Sequence, residues 1–519
     1  MTKKIIKAMK IIAQVIIAIL ATAFIIVGTI FVYYYAKGYR IDLQDRNVRK
    51  TGVINIDSSP SRADIIIEGE NKGKTTKTIA SIDEGFVEVK LKRSGYFDWV
   101  KSIEVISEKS TPILAELFRT KPILESKITI QKDFSIEKIH RSNDGNVFIY
   151  ITKDKNSNLV IWRYDLNRNF WNLSNNPHIV ATLTEREIKN LKLYSSPSSQ
   201  NILLIYNHTL DKSTETKIQL FNTQQTDSSG RSMDLEKFIT SGYTFTWSES
   251  ENYIVMESST DILSFNINNQ AKYLLYKKSP KESVVWTSDS QSNFYYTQKD
   301  KDESGTYLSL EQLNMDGTGN KTLIPRIYFQ TDIKYIEEIR KGEDENNAFT
   351  NAPQNTRFSG DVIGIKIDQA TKGIFMTTEQ SSYWYDTTSD KYVIINPYKT
   401  DFVSYSPNRQ SLLYKDNNNK YIGIFTFDKD ESDPITKLGS KIIIKNADNV
   451  SDLKWITNSN LTFTLNDTVN IIDKDGDNQY TISIEKYPST YSTVGNGKYM
   501  HTIEKNSDGS NQIVRYVIQ

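Results

Sequence analysis

The chain has 519 residues, a net charge of +1 and no cysteine. That length allows two or more domains, or fewer large β folds, and the balanced charge gives no electrostatic bias toward nucleic acid or anionic surfaces. The missing cysteine excludes disulfides, thiol catalysis, iron–sulfur clusters and Cys-based zinc sites, without fixing the compartment.

Residues 1–10 form a tail carrying Lys3, Lys4, Lys7 and Lys10. From Ile11 to Tyr35 there is no charged residue, and Gln14 is the one strongly polar side chain. Twenty-five residues at 1.5 Å each make a helix of about 38 Å, against a hydrocarbon core of about 30 Å. Core helices of soluble proteins are seldom apolar on every face for so long. The rival reading is a cleaved signal peptide, with the lysines as its basic region and Ala21-Thr22-Ala23 as its small-residue site. The apolar run continues beyond that site to Tyr33, Tyr34 and Tyr35, whose rings suit a headgroup belt. An uncleaved transmembrane helix over 11–35 is therefore expected.

The linker 36–50 is basic too, with Lys37, Arg40, Arg46, Arg49 and Lys50, so the positive-inside rule gives no clean vote. A short tail is easily left inside, and long C-terminal domains translocate largely regardless of charge. The expected topology is single-pass in a cell membrane, N-terminus cytoplasmic, with the C-terminal domains extracytoplasmic.

Residues 51–120 alternate as short strands separated by turns. Val53–Asp57, Ile65–Ile67, Phe86–Leu91, Ile103–Ile106 and Ile113–Leu117 read as strands, and Ser58-Ser59-Pro60-Ser61 reads as a turn. Val87, Val89 and Leu91 fall on one face, so a small β-sandwich is expected. The ordered set Ser58, Pro60, Ala63, Glu68-Gly69, Gly73, Thr75, Gly85 and Gly95-Tyr96 resembles the PEGA domain. It departs at the name-giving motif, here Pro60-Ser61-Arg62-Ala63, and at Thr76, where the family has Pro. The resemblance implies an envelope spacer or binding module without a general catalytic site.

From residue 121 to 519 a unit recurs: an aromatic or apolar residue, a Ser/Asn/Asp turn, then a short strand. Copies begin at Ile139-His140-Arg141-Ser142, Tyr194-Ser195-Ser196-Pro197, Trp247-Ser248-Glu249-Ser250, Trp286-Thr287-Ser288-Asp289, Tyr405-Ser406-Pro407-Asn408 and Trp455-Ile456-Thr457-Asn458. Weaker copies lie near Ile365-Lys366-Ile367-Asp368 and Tyr491-Ser492-Thr493-Val494. Units of about fifty residues match four-stranded propeller blades, and blades bury their faces by packing in a ring. The pattern predicts a seven- or eight-bladed β-propeller and resembles the Ser-Pro-Asp-Gly type of the Tol periplasmic system. The fold class is thus all-β: a transmembrane helix, a PEGA-type β-sandwich and a propeller. Helical spacing is visible only over Thr184–Leu191 and Asp332–Lys341, and the polar stretch Asp332–Thr356 reads as an insertion loop.

Little chemistry is legible. His140, His178, His208 and His501 form no metal-spaced pair, and there is no catalytic triad or phosphate-cradling Gly-rich loop. Asp473-Lys474-Asp475-Gly476-Asp477 places carboxylates at alternate positions, as a calcium loop does. Its Gly comes one position too early, however, and no Glu stands twelfth, so a tight Asp-Gly hairpin is expected. Trp162, Trp171 and Trp384 are candidates for a face that stacks on sugars or anchors a partner, with core packing the simpler reading. No catalytic, cofactor or metal site is assigned. The expected function is non-enzymatic: a protein anchored in the bilayer of a bacterial envelope, binding a protein or cell-wall glycan and no nucleic acid. The alternatives are an envelope hydrolase or lyase at the propeller channel, and a structural scaffold.

Overall fold

The computed structural model describes residues 2–42, 47–130, 134–166, 176–185, 187–210, 213–225, 233–238, 242–302, 305–328, 361–368, 373–388, 391–396, 398–416, 420–427, 439–484, 491–494, 497–505 and 510–519. The chain divides into two compact units, one built on Met1–Thr120, the other on Lys121–Lys429 and Leu438–Ile518.

In the first unit α1 (Thr2–Ala36) is one uninterrupted helix. Its stretch Ile12–Ala36 has a mean hydropathy of 2.9 and is long and apolar enough to cross a membrane, with none of it buried against protein. Thr22 and Thr29 turn their hydroxyls back onto the carbonyls of Ala18 and Ile25, so neither presents an unpaired donor on this apolar surface. At its end the Arg40 guanidinium lies 3.9 Å over the Tyr35 ring and donates to the Tyr35 carbonyl. In the stretch expected as a linker, β1 (Tyr39–Asp42) pairs with the start of β2 (Asn47–Ser59).

Six more strands complete two facing sheets: β3 (Asp64–Ile67), β4 (Glu70–Lys74), β5 (Lys77–Asp83), β6 (Gly85–Lys92), β7 (Trp99–Val105) and β8 (Ser110–Glu116). One sheet runs β4-β3-β6-β7; in the other, β2 pairs with β1, β5 and, in parallel, β8. The alternation in β6 turns Val87, Val89 and Leu91 inward, where they join Ile54, Ile65 and Ile103. Each such buried side chain contributes about 1.5–3 kcal/mol of transfer free energy. The sandwich is therefore held by apolar alternation on both sheets.

The second unit is a β-propeller of eight four-stranded antiparallel sheets taken in chain order. Blades 1 to 7 span 135–183, 189–234, 244–277, 286–328, 362–396, 401–444 and 450–481. Blade 8 takes three strands from 491–517 and its fourth from β9 (Ile123–Thr129), at the opposite end of the unit's sequence, which closes the ring. The second strand of a blade is an apolar run buried on both faces, as in Val147–Tyr150 and Ile374–Met376. Among the described residues, seven buried clusters each join two consecutive blades, as Phe148 and Tyr150 of blade 1 pack with Val494 and Ile503 of blade 8. First strands of neighbouring blades approach one another, as between blades 2 and 3 and blades 6 and 7, so the first strand of each blade faces the axis.

The recurrent turn has a physical role. It joins the first and second strands of a blade, and its hydroxyl or carboxylate accepts backbone amides that the ladder leaves unpaired. Ser142 takes the amides of Asn146 and Val147, Ser196 that of Asn201, Ser248 that of Tyr253, Ser406 those of Gln410 and Ser411, and Thr457 those of Ser459 and Asn460. In blade 4 the Asp289 carboxylate does the same for Gln291 and Asn293. Thr184–Leu191, with its helical spacing, is not a helix; the first strand of blade 2, Lys189–Ser195, begins inside it. Asp332–Lys341 and the expected insertion loop Asp332–Thr356 lie outside the described residues.

Candidate ligand site at the propeller axis

Three first strands build an ionic group near the axis. Arg141 ends that of blade 1 (Ser135–Arg141), Asp452 and Lys454 stand on that of blade 7 (Val450–Trp455), and Tyr491 opens that of blade 8 (Tyr491–Val494) between them. Strand alternation sets the directions. Ile139 packs into the core between blades 8 and 1, so Arg141, two residues on, also faces blade 8. Leu453 and Trp455 pack into the core between blades 6 and 7, so Asp452 and Lys454 face the other way, toward blade 8.

The Arg141 Nη1 donates to the Tyr491 carbonyl at 3.0 Å and lies 3.4 Å from Asp452 Oδ1. Lys454 Nζ donates to the same carbonyl at 3.2 Å, lies 3.6 Å from Asp452 Oδ2, and sits 4.1 Å above the Tyr491 ring. Blades 1 and 7 are not neighbours, so side chains that meet across blade 8 do so on its axial side. The side chains of Arg141 and Lys454 keep 19% and 17% of their surface exposed, which leaves the group enclosed but reachable. Burial pushes the Asp452 carboxyl above its ordinary range, against the pull of Arg141. Burial, and after it the Arg141 charge, holds the neighbouring His140 imidazole below its ordinary value. Asp452 also carries a positive φ of 54°, and the ladder register shifts between Ser451 and Lys454.

Residues singled out in the sequence have other roles. Asp473 is buried in blade 7, and its two carboxylate oxygens accept the side-chain amides of Asn460 and Asn478 at 2.6 and 2.9 Å. The turn closes with Gly476 at φ +87° donating to the Asp473 carbonyl, so the Asp473–Asp477 segment forms a hairpin turn. The four histidines are not brought together. His140 is on the first strand of blade 1, His178 on its fourth, with Nε2 3.0 Å from the Thr223 carbonyl. His208 is buried on the second strand of blade 2, 3.8 Å from Glu215, and His501 is buried on the second strand of blade 8 against the Tyr164 ring.

Trp162 stacks on Tyr150 and donates to Thr152 Oγ1, and Trp384 stacks 4.4 Å from Phe427, so both are packing residues. Trp171 lies outside the described residues. The sequence alone does not mark the axial group, because Arg141 and Asp452 stand in opposite halves of the chain. A signal was present, however. The residue before the turn hydroxyl or carboxylate is uncharged in blades 2, 3, 4, 6 and 7, namely Ser195, Trp247, Ser288, Tyr405 and Ile456, yet Arg141 in blade 1. Trp247 Nε1 donates to the Tyr194 carbonyl of the preceding blade at 3.0 Å, as Arg141 donates to the Tyr491 carbonyl one position further from the turn. Arginine keeps the link between blades and adds a charge.

The PEGA domain family matches residues 51–121. No curated protein sequence matches the chain. Among solved structures it is similar to Porphyromonas gingivalis dipeptidyl peptidase 4, at 11% identity over 71% of this chain and 56% of the peptidase, with a TM-score of 0.43. It is similar also to the oligogalacturonate lyase of Vibrio parahaemolyticus, at 7% identity over 76% of this chain and 98% of the lyase, with a TM-score of 0.36. Neither likeness carries an argument about activity.

Proposed function

We propose that this chain is a membrane-anchored binding protein of a bacterial cell envelope, with everything after about residue 40 outside the cytoplasm. The carrying observation is the unbroken apolar helix over Ile12–Ala36, none of it buried against protein. It runs straight through Ala21-Thr22-Ala23, so a peptidase site there would lie in mid-membrane. The chain then continues into the PEGA match and the propeller, two β modules whose exposed faces suit a binding role. Arg40 and Lys37 over the rings of Tyr35 and Tyr33 suit the headgroup level at which such a helix ends. The reading is non-enzymatic: the propeller offers a face to a protein or a cell-wall glycan.

The test is protease treatment of intact cells expressing the full chain, followed by N-terminal sequencing of the fragment that stays in the membrane. Loss of the C-terminal mass with a protected fragment starting near Met1 is the expected result. A fragment that starts beyond Ala23 overturns the anchor, and a C-terminal mass that resists protease even in spheroplasts overturns the orientation.

A further inference from the structure

We propose that the axial group on blades 1, 7 and 8 is a receptor for one anionic group, a carboxylate or a phosphate, held between Arg141 and Lys454, with Asp452 as the internal carboxylate it competes against. The inference deepens the binding reading above and rests on it, but not on which side of a membrane the propeller stands.

Charge comes first. Two cations face one carboxylate, and the first strands of blades 1, 2 and 7 together carry Lys138, Arg141, Lys189, Lys192 and Lys454 against Glu137 and Asp452 alone. This side of the axis is basic although the whole chain is balanced.

Bond lengths come second. The two other arginine–carboxylate pairs described in the propeller are closer: Arg163 to Asp165 is 2.6 Å and Arg515 to Glu125 is 2.8 Å. Asp452 stands 3.4 Å from Arg141 and 3.6 Å from Lys454, so it neutralises both loosely. The cations keep donors to give. A guanidinium has five N–H groups and an ammonium three, yet Arg141 and Lys454 each spend one on the Tyr491 carbonyl, and Arg141 Nε is buried without a hydrogen-bond partner among the described residues.

Because both cations donate to one carbonyl oxygen, they stand within the span of a single anion. A fork beside a point charge is the arrangement that suits a carboxylate or phosphate group.

Location comes third. The group is on the axial side of blade 8, enclosed on three strands and partly exposed, and Arg141 stands where the other named turns carry an uncharged residue: Ser195, Trp247, Ser288, Tyr405 and Ile456. A Trp there would link the blades as well, as Trp247 does. The gain from Arg141 is charge at the axis. Asp452 stands at positive φ in a first-strand bulge like that of Asn190 in blade 2, and burial disfavours its charged form, so an incoming anion displaces a carboxylate that is itself poorly solvated.

The experiment is isothermal titration of the full-length chain in detergent micelles with inorganic phosphate and, separately, with succinate, at constant ionic strength set by chloride. Saturable binding of at least one anion is expected, and which of the two binds identifies a phosphoryl or a carboxylate ligand. Asp452→Asn removes the competitor and is expected to tighten that binding about tenfold, whereas a purely structural ion pair gives no anion binding in this variant. Lys454→Met is expected to abolish saturation while the thermal transition stays cooperative.

Absence of saturable binding of either anion to the wild type overturns the proposal, as does equal binding by wild type and Lys454→Met. Should Asp452→Asn not fold, that wild-type and Lys454→Met comparison decides alone. Micelles carry no sidedness, so failure here leaves the anchored, outward-facing reading standing, and failure of the protease test leaves the anion site standing.

Discussion

At Ser406 one hydroxyl holds a blade turn together: it accepts the amides of Gln410 and Ser411 at 3.2 and 3.0 Å and donates to Asn408 Oδ1 at 2.7 Å. Ser406→Ala leaves two largely enclosed amides without that acceptor, a loss of about 1–3 kcal/mol, read as a lower denaturation midpoint at unchanged slope. A second residue-scale prediction concerns His140. Its folded pKa lies below the ordinary 6.5 because of burial and then of Arg141, so between those two values the unfolded chain binds more protons than the folded one. Stability is complete above pH 6.5 and falls as the pH drops through 6.5 toward the folded value. His140→Gln removes that slope, so the variant's Tm is expected to decline less than the wild type's between about pH 7 and 5. Equal declines would assign the pH dependence to other groups.

Single elements show what a lone sequence can disclose. The alternation of β6 and the Ser-containing turns were legible because each is imposed locally, by a half-buried sheet and by amides that need an acceptor. β4 was not, since Glu70-Asn71-Lys72-Gly73-Lys74 is a polar edge strand that no apolar period marks. Thr184–Leu191 imitates a helix because Ile188 and Leu191 stand three residues apart, whereas both pack with Leu183 into the core that blades 1 and 2 share. Arg141 and Asp452 meet only because the ring closes, and no local period encodes that.

The same packing predicts an intolerant glycine. Gly423, on the third strand of blade 6, pairs across the ladder with Tyr414, whose buried ring covers it so closely that a Cβ would lie 2.3 Å from the ring's Cζ. Gly423→Ala is expected to cost about 1–3 kcal/mol by overpacking, although alanine favours a strand over glycine. Tyr414→Leu in the same chain would relieve part of the loss, and a double-mutant cycle measures the coupling.

For the propeller unit as a whole, stability depends on one strand borrowed from the other end of its sequence. β9 pairs with Asn511–Val517 from Ile123↔Val517 to Thr129↔Gln512. Ile123 and Leu124 are 49% and 47% exposed, so β9 contributes more through its ladder than through burial. Without it the third strand of blade 8, Asn511–Val517, becomes the edge, the kind of surface that recruits other chains. Replacing Ile123–Thr129 by an alternating Gly-Pro stretch of equal length keeps the chain continuous, but it removes about half of the strand's N–H donors and disfavours the extended ladder at the rest. Six paired positions at about 0.5–1.5 kcal/mol of net hydrogen bonding put the loss on the order of 3–9 kcal/mol, comparable to the whole stability of many domains. The double substitution of Ile123 and Leu124 by Ser, which spares the backbone, is expected to stay within about 1 kcal/mol. Denaturant unfolding of the two variants separates the contributions. A large loss in the Gly-Pro variant with little in the Ser variant identifies backbone closure as what holds the ring. Equal losses would place the closure energy in the side chains, and a native-like Gly-Pro variant would mean that packing between blades 8 and 1 holds the ring without the borrowed strand.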